Sequence, residues 1–92
     1  MIKILLVEDD KYIVANLTEF LASEGYSVKS ASGQMQALKL LENESFNLAL
    51  LDISLSDGNG YAVCSAIKAS YGIPVIRGVK YGNAKRKLYK LM

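Results

Sequence analysis

Three carboxylates stand where two apolar runs stop. Ile2 to Val7 (IKILLV) leads into Glu8 and Asp9, and Leu48 to Leu51 (LALL) leads into Asp52. In an open parallel sheet the ligand crevice lies beyond the carboxyl ends of the strands, where the winding reverses direction. If the two runs are neighbouring strands, Glu8, Asp9 and Asp52 converge there. Three carboxylates at close range repel one another, and their pKa values rise unless a cation offsets the charge. A hard divalent ion with oxygen ligands is the natural partner, Mg²⁺ above all, since it binds through one or two carboxylates and keeps several waters. Asp52, alone at its strand end, also has the chemistry of a nucleophile towards phosphorus, giving an aspartyl phosphate. The bland alternative is that acids after strands only cap helices or favour their N-termini. Asp10 reads that way, because it directly precedes a helical stripe.

The elements that must position these groups follow from hydrophobic spacing. After Asp10, Ile13, Leu17, Phe20 and Leu21 form one apolar stripe that Gly25 stops. Tyr26 to Ala31 alternates as a second strand. Ser32 is the expected N-cap of a helix with Met35, Leu38 and Leu41 on one side, fraying at Asn43. Leu48 to Leu51 is a third strand, Ile53 to Asn59 a loop, and Asn59 or Gly60 the start of a third helix. That helix carries Val63, Cys64 and Ile67 inward and ends before Gly72, and Pro74 to Ile76 begins a fourth strand. Strands alternate with helices through short connections, and the interior strands are apolar throughout. That is a parallel sheet covered on both faces.

Composition bounds the rest. Ninety-two residues make one small domain, which buries only roughly 60% of its unfolded surface. Histidine is absent, which removes Ser-His-Asp hydrolases, histidine phosphocarriers and His-ligated zinc. The one cysteine, Cys64, makes no internal disulfide and fits a reducing cytoplasmic setting. No apolar run approaches the ~20 residues of a membrane span. The acid-rich stretch after Val7 argues against a targeting segment at the start. Asp57-Gly58-Asn59-Gly60 is turn chemistry, and no phosphate-cradling GxxxxGK[ST] loop occurs. Charge is divided sharply: residues 1–76 carry nine acids against five lysines, and residues 77–92 carry six basic residues and no acid.

Taken together, ILLVEDD, LALLDISLSDGNGYAVCSAIKA and IPVI resemble the receiver domain of bacterial two-component response regulators over residues 1–76. The resemblance implies a flavodoxin-like, doubly wound sheet. Its family order is 2-1-3-4-5, here 2-1-3-4 with the fifth strand and following helix missing. It implies phosphorylation by a sensor histidine kinase with Asp52 as phosphoacceptor. Glu8 and Asp9 would be the acidic pair, Asp9 the more direct Mg²⁺ ligand, and the backbone carbonyl of Ser54 would complete the protein's share of the metal site. Ser56 stands where the family usually has Pro. After Ile76 the pattern departs: Val79 occupies the place of a Thr or Ser hydroxyl, and no Lys-Pro ends a fifth strand. Lys80 and Lys85 have no positional match to that Lys.

Residues 77–92 (RGVKYGNAKRKLYKLM) form a basic tail with three readings. Capped by Asn83, it sets Ala84, Leu88 and Leu91 on one face of an amphipathic helix, able to meet a partner, nucleic acid or anionic lipid. It could instead cover its own sheet, the expected reading, since an uncovered sheet needs burial. Or it is an accidental junction. An edge at the fourth strand and an acidic body beside a basic tail together predict a homodimer with Leu88 and Leu91 buried. The expected function is that of a phosphoacceptor signalling module, not a turnover enzyme. Its alternatives are a phosphorylation-incompetent dimerisation or interaction module, and a metal-dependent phosphohydrolase. The last would want an Asp at position 54, where Ser stands.

Overall fold

The computed structural model describes residues 1–51 and 60–77, and expectations for Asp52, Ser54 and residues 78–92 lie outside the described residues. Four strands, β1 (Lys3–Val7), β2 (Ser27–Ala31), β3 (Leu48–Leu51) and β4 (Val75–Arg77), form one parallel sheet in the order β2-β1-β3-β4. Helix α1 (Lys11–Ser23) links β1 to β2, α2 (Gln34–Asn43) links β2 to β3, and α3 (Gly60–Ala66) precedes β4. The chain moves from β1 outward to β2, then crosses back past β1 to β3. The winding therefore reverses between β1 and β3, the crevice position of doubly wound sheets.

Period-two alternation along the strands sorts the core into two layers. Leu5, Val7, Ala49 and Leu51 pack with Ala37 and Leu41 of α2 and Val63, Cys64 and Ile67 on the α3 side. Ile4, Leu6, Leu48, Leu50 and Ile76 pack with Leu17 and Leu21 of α1, flanked by half-buried Ile13 and Phe20. Because β1 and β3 are covered on both faces, the last four residues of β1 and all four of β3 are buried and apolar. Cys64 is a core residue, as its place in the helical stripe implied.

Helix ends decide where the strands deliver their last residues. Asp10 caps α1, its carboxylate accepting from the backbone N–H groups of Tyr12 and Ile13 at 2.9 and 3.2 Å. Gly25, at φ +90°, closes α1: its N–H bonds the Ala22 carbonyl and the Tyr26 N–H bonds the Leu21 carbonyl. This is the paired C-terminal arrangement that a left-handed residue permits. After α3 the chain widens into a π turn (Ile67–Tyr71), and Gly72 at φ +64° donates its N–H to the Ile67 carbonyl at 3.0 Å.

Three local expectations change. The second strand begins at Ser27 rather than Tyr26, whose N–H is spent on the end of α1. The N-cap of α2 is Gly33, not Ser32, and the Ser32 hydroxyl turns instead to Gln36. Met35 is 79% exposed, because it stands two residues from Ala37, about 200° around the helix. The inward stripe is Ala37 and Leu41, with Leu38 at its edge.

Candidate functional site

Strand β1 carries the apolar run that hides it, and the first polar residue beyond the run is still inside. Glu8 is 2% exposed, the one buried charged residue among those described. Burying a carboxylate is costly unless hydrogen bonds replace the lost water. Glu8 Oε2 accepts from the backbone N–H groups of Asp9 at 2.8 Å and Asp10 at 3.1 Å, so the chain leaving β1 folds around its own side chain. The Glu8 N–H continues the sheet by donating to the Ala31 carbonyl of β2 at 2.9 Å. Backbone and side chain of Glu8 are thus both fixed.

Asp9 is half-buried and, with Glu8, borders a cleft of about 340 Å³ that Lys11, Ser30, Ser32 and Gln36 also line. The cleft lies at the carboxyl ends of β1 and β2, between the first turns of α1 and α2. Asp10 points into the α1 cap and leaves the pair, as its position before the helix stripe implied. On the other side of β1, Val7 pairs in register with Leu51, the last residue of β3. Asp52 follows Leu51 in the chain and, like Ser54, lies outside the described residues. Among the described residues no group of three or more His, Cys, Asp or Glu gathers for a metal; of the expected acids, the described residues include the Glu8–Asp9 pair. Its donors are hard carboxylate oxygens, one of them held by backbone N–H groups. That chemistry suits a hard divalent cation such as Mg²⁺.

Spacing between strand ends pointed to Glu8 and Asp9 but not to the β2–α2 turn. Ser32 donates its N–H at 2.9 Å and its hydroxyl at 3.0 Å to Gln36 Oε1. The available signal was a Ser followed four residues later by Gln at a helix start, a variant of the capping box. A larger cleft, about 400 Å³, opens at the opposite end of the sheet by Leu41, Glu44, Phe46, Tyr71 and Ile73. It lies at the amino ends of β3 and β4, away from the acidic pair, so size does not identify the site here.

Comparison with known proteins agrees with this geometry. The chain is 41% identical over 76 residues to the transcriptional regulatory protein CpxR of Escherichia coli, covering 83% of this chain and 32% of that protein. It is 35% identical over 74 residues to the regulatory protein VanRc of Enterococcus gallinarum, covering 80% of this chain and 32% of the relative. The chain therefore spans about a third of the length of these relatives. Among solved structures, the MaeR response regulator bound to beryllium trifluoride superposes with a TM-score of 0.76 at 30% identity, over 100% of this chain and 80% of that one. The profile of the response regulator receiver domain matches residues 4–88, beyond Ile76 and into the basic stretch. With that match over most of its length, a 2-1-3-4 parallel sheet and an acidic pair at the end of the first strand, the chain belongs to the response regulator receiver domain family of two-component systems.

Proposed function

We propose that the chain is a phosphoacceptor module that takes a phosphoryl group onto Asp52 from a sensor histidine kinase. The carrying observation is the buried, backbone-held Glu8 with Asp9 beside it, on a strand whose neighbour in register ends one residue before Asp52. In this reading Glu8, Asp9, Asp52 and the Ser54 backbone carbonyl form the metal site, and a bound Mg²⁺ supplies charge neutralisation at the phosphoryl oxygens. A carboxylate oxygen of Asp52 attacks phosphorus. The new P–O bond forms as the P–N bond of the kinase phosphohistidine breaks, and the imidazole departs with the nitrogen electron pair. The protein's share is mostly positioning, which is what the rigid end of β1 provides.

Residues 1–76 form the phosphoacceptor unit and residues 77–92 the basic tail, and the module signals rather than turns over a substrate. The kinase partner places it in the cytoplasm. A second copy of the chain is a further partner in this reading, in a homodimer. Nucleic acid is reached through a separate effector domain, or weakly through the tail. Among the described residues no helix is long and apolar enough to cross a membrane.

The test is intact-mass analysis after incubation with acetyl phosphate and Mg²⁺. We expect one phosphoryl adduct on the parent and none on Asp52→Ala. Because Val79 supplies no hydroxyl, the adduct should be partial. A parent that takes no adduct at any donor concentration overturns this reading in favour of an interaction module.

A further inference from the structure

We infer that Gln36 is a positioning residue for the acidic pair, acting through the β2–α2 turn. The inference rests on the reading of Glu8 and Asp9 as the metal-side pair. Gly33, the N-cap of α2, has no side chain to accept from the first turn of its helix. The turn needs another anchor, and Gln36 supplies it by reaching back. Its Oε1 accepts both the N–H and the hydroxyl of Ser32, at 2.9 and 3.0 Å. Ser32 directly follows Ala31, and the Ala31 carbonyl is the acceptor of the Glu8 N–H at 2.9 Å. The Glu8 carboxylate in turn holds the N–H groups of Asp9 and Asp10. A continuous run of bonds thus leads from Gln36 through Ser32, Ala31 and Glu8 to Asp9. Gln36, Ser32, Glu8 and Asp9 all border one cleft.

Exposure separates this role from a merely structural one. Ser32 and Gln36 both face solvent, and water replaces their mutual bonds when one partner is removed. The global stability at stake is therefore small. What changes is how often the turn opens and releases the Ala31 carbonyl. Local opening of that kind is read by amide hydrogen exchange.

The experiment uses the full chain and two readouts. Exchange of the Glu8 and Asp9 amides is measured by NMR without metal, and Mg²⁺ alone is titrated while the same amides are followed. Gln36→Ala should speed exchange at Glu8 about fivefold, the effect of one weakened hydrogen-bonded contact, and weaken Mg²⁺ binding by a similar factor. Gln36→Glu keeps the acceptor and should restore parental exchange. Rescue is judged on exchange alone, because the added charge alters Mg²⁺ affinity directly. Glu8 exchange unchanged in Gln36→Ala, or a parental Mg²⁺ affinity in that variant, overturns the inference. A parent that binds no Mg²⁺ overturns the acidic-pair reading itself, a result distinct from either.

Discussion

The two ends of this sheet handle charge in opposite ways. At the amino end, acid and base answer each other. The Glu44 carboxylate lies 3.0 Å from the Lys3 ammonium and 3.8 Å from that of Lys29, and Lys3 also sits 5.3 Å from the centroid of the Phe46 ring. Asn47 adds the backbone, donating its N–H to the Lys3 carbonyl at 2.8 Å and accepting the Lys3 N–H on Oδ1 at 2.8 Å. At the carboxyl end, two acids adjoin in sequence, and the inner one is held by the backbone N–H groups of Asp9 and Asp10. Salt bridges close the first end. The second sets two adjacent acids beside a cleft that Lys11 also borders. One end joins the strands, and the other is the end we propose holds the cation.

The sharpest way to break that contrast is to add Mg²⁺. A ligand bound only to the folded state stabilises it by about 2.7 kcal/mol at a hundred times its dissociation constant. We expect the parent melting temperature to climb with Mg²⁺ and Asp9→Ala to remove the climb. Glu8→Gln keeps an oxygen to accept from Asp9 and Asp10 and discards a buried negative charge. Without metal it should melt no lower than the parent, and with metal it should gain little. Thermal shift across a Mg²⁺ series measures both. An Asp9→Ala protein that responds like the parent would leave the two ends differing in burial alone.

A smaller change separates the pair from its neighbour. Asp10 is the third acid in the run but serves α1, so Asp10→Ala should cost about 1 kcal/mol. For a domain of this size that lowers the melting temperature by roughly 4–8 °C. The Mg²⁺ increment should remain whole. Loss of that increment in Asp10→Ala would make Asp10 a member of the site and not a cap.

This division of labour explains what the sequence disclosed. Asp10 was readable as a cap because capping is local, needing only a carboxylate two or three residues before free N–H groups. That β1 and β3 lie inside a covered parallel sheet was readable because both are apolar on both faces, whereas the order 2-1-3-4 rested on the family resemblance. The Ser32 to Gln36 anchor was not, because Ser32 looked sufficient as a cap and only the backbone shows that Gly33 takes that place. Met35 misled for a related reason. Its spacing to Leu38 fits a stripe, but the small Ala37 is the residue the sheet admits. The amino-end ion pairs were illegible too, since Lys3 and Glu44 are distant in sequence and meet only through the register of β1 with β3.

The mildest prediction addresses the amino end. The Glu44 carboxyl is held below its usual value of 4.5, first by its hydrogen bond from Lys3, with Lys29 adding to the effect and partial burial opposing it. A carboxyl with a depressed folded-state pKa contributes stability that is fully present above the unfolded value. That contribution fades as pH falls through the folded value. The window therefore opens near 4.5 and extends downward. The pair lies at the surface, where solvent and salt screen it, so the effect on melting temperature should be small. Glu44→Gln should melt slightly below the parent at neutral pH and converge with it in acid. The gap should shrink in about 1 M salt, where the screening length falls to ~3 Å. Melting curves for both proteins from about pH 7 to about pH 3 test the sign, since linkage requires the gap to narrow only on the acid side. A constant gap across that range would mean that Glu44 acts by packing rather than by charge. The amino end would then be closed by Asn47 and Phe46, not by its ion pairs.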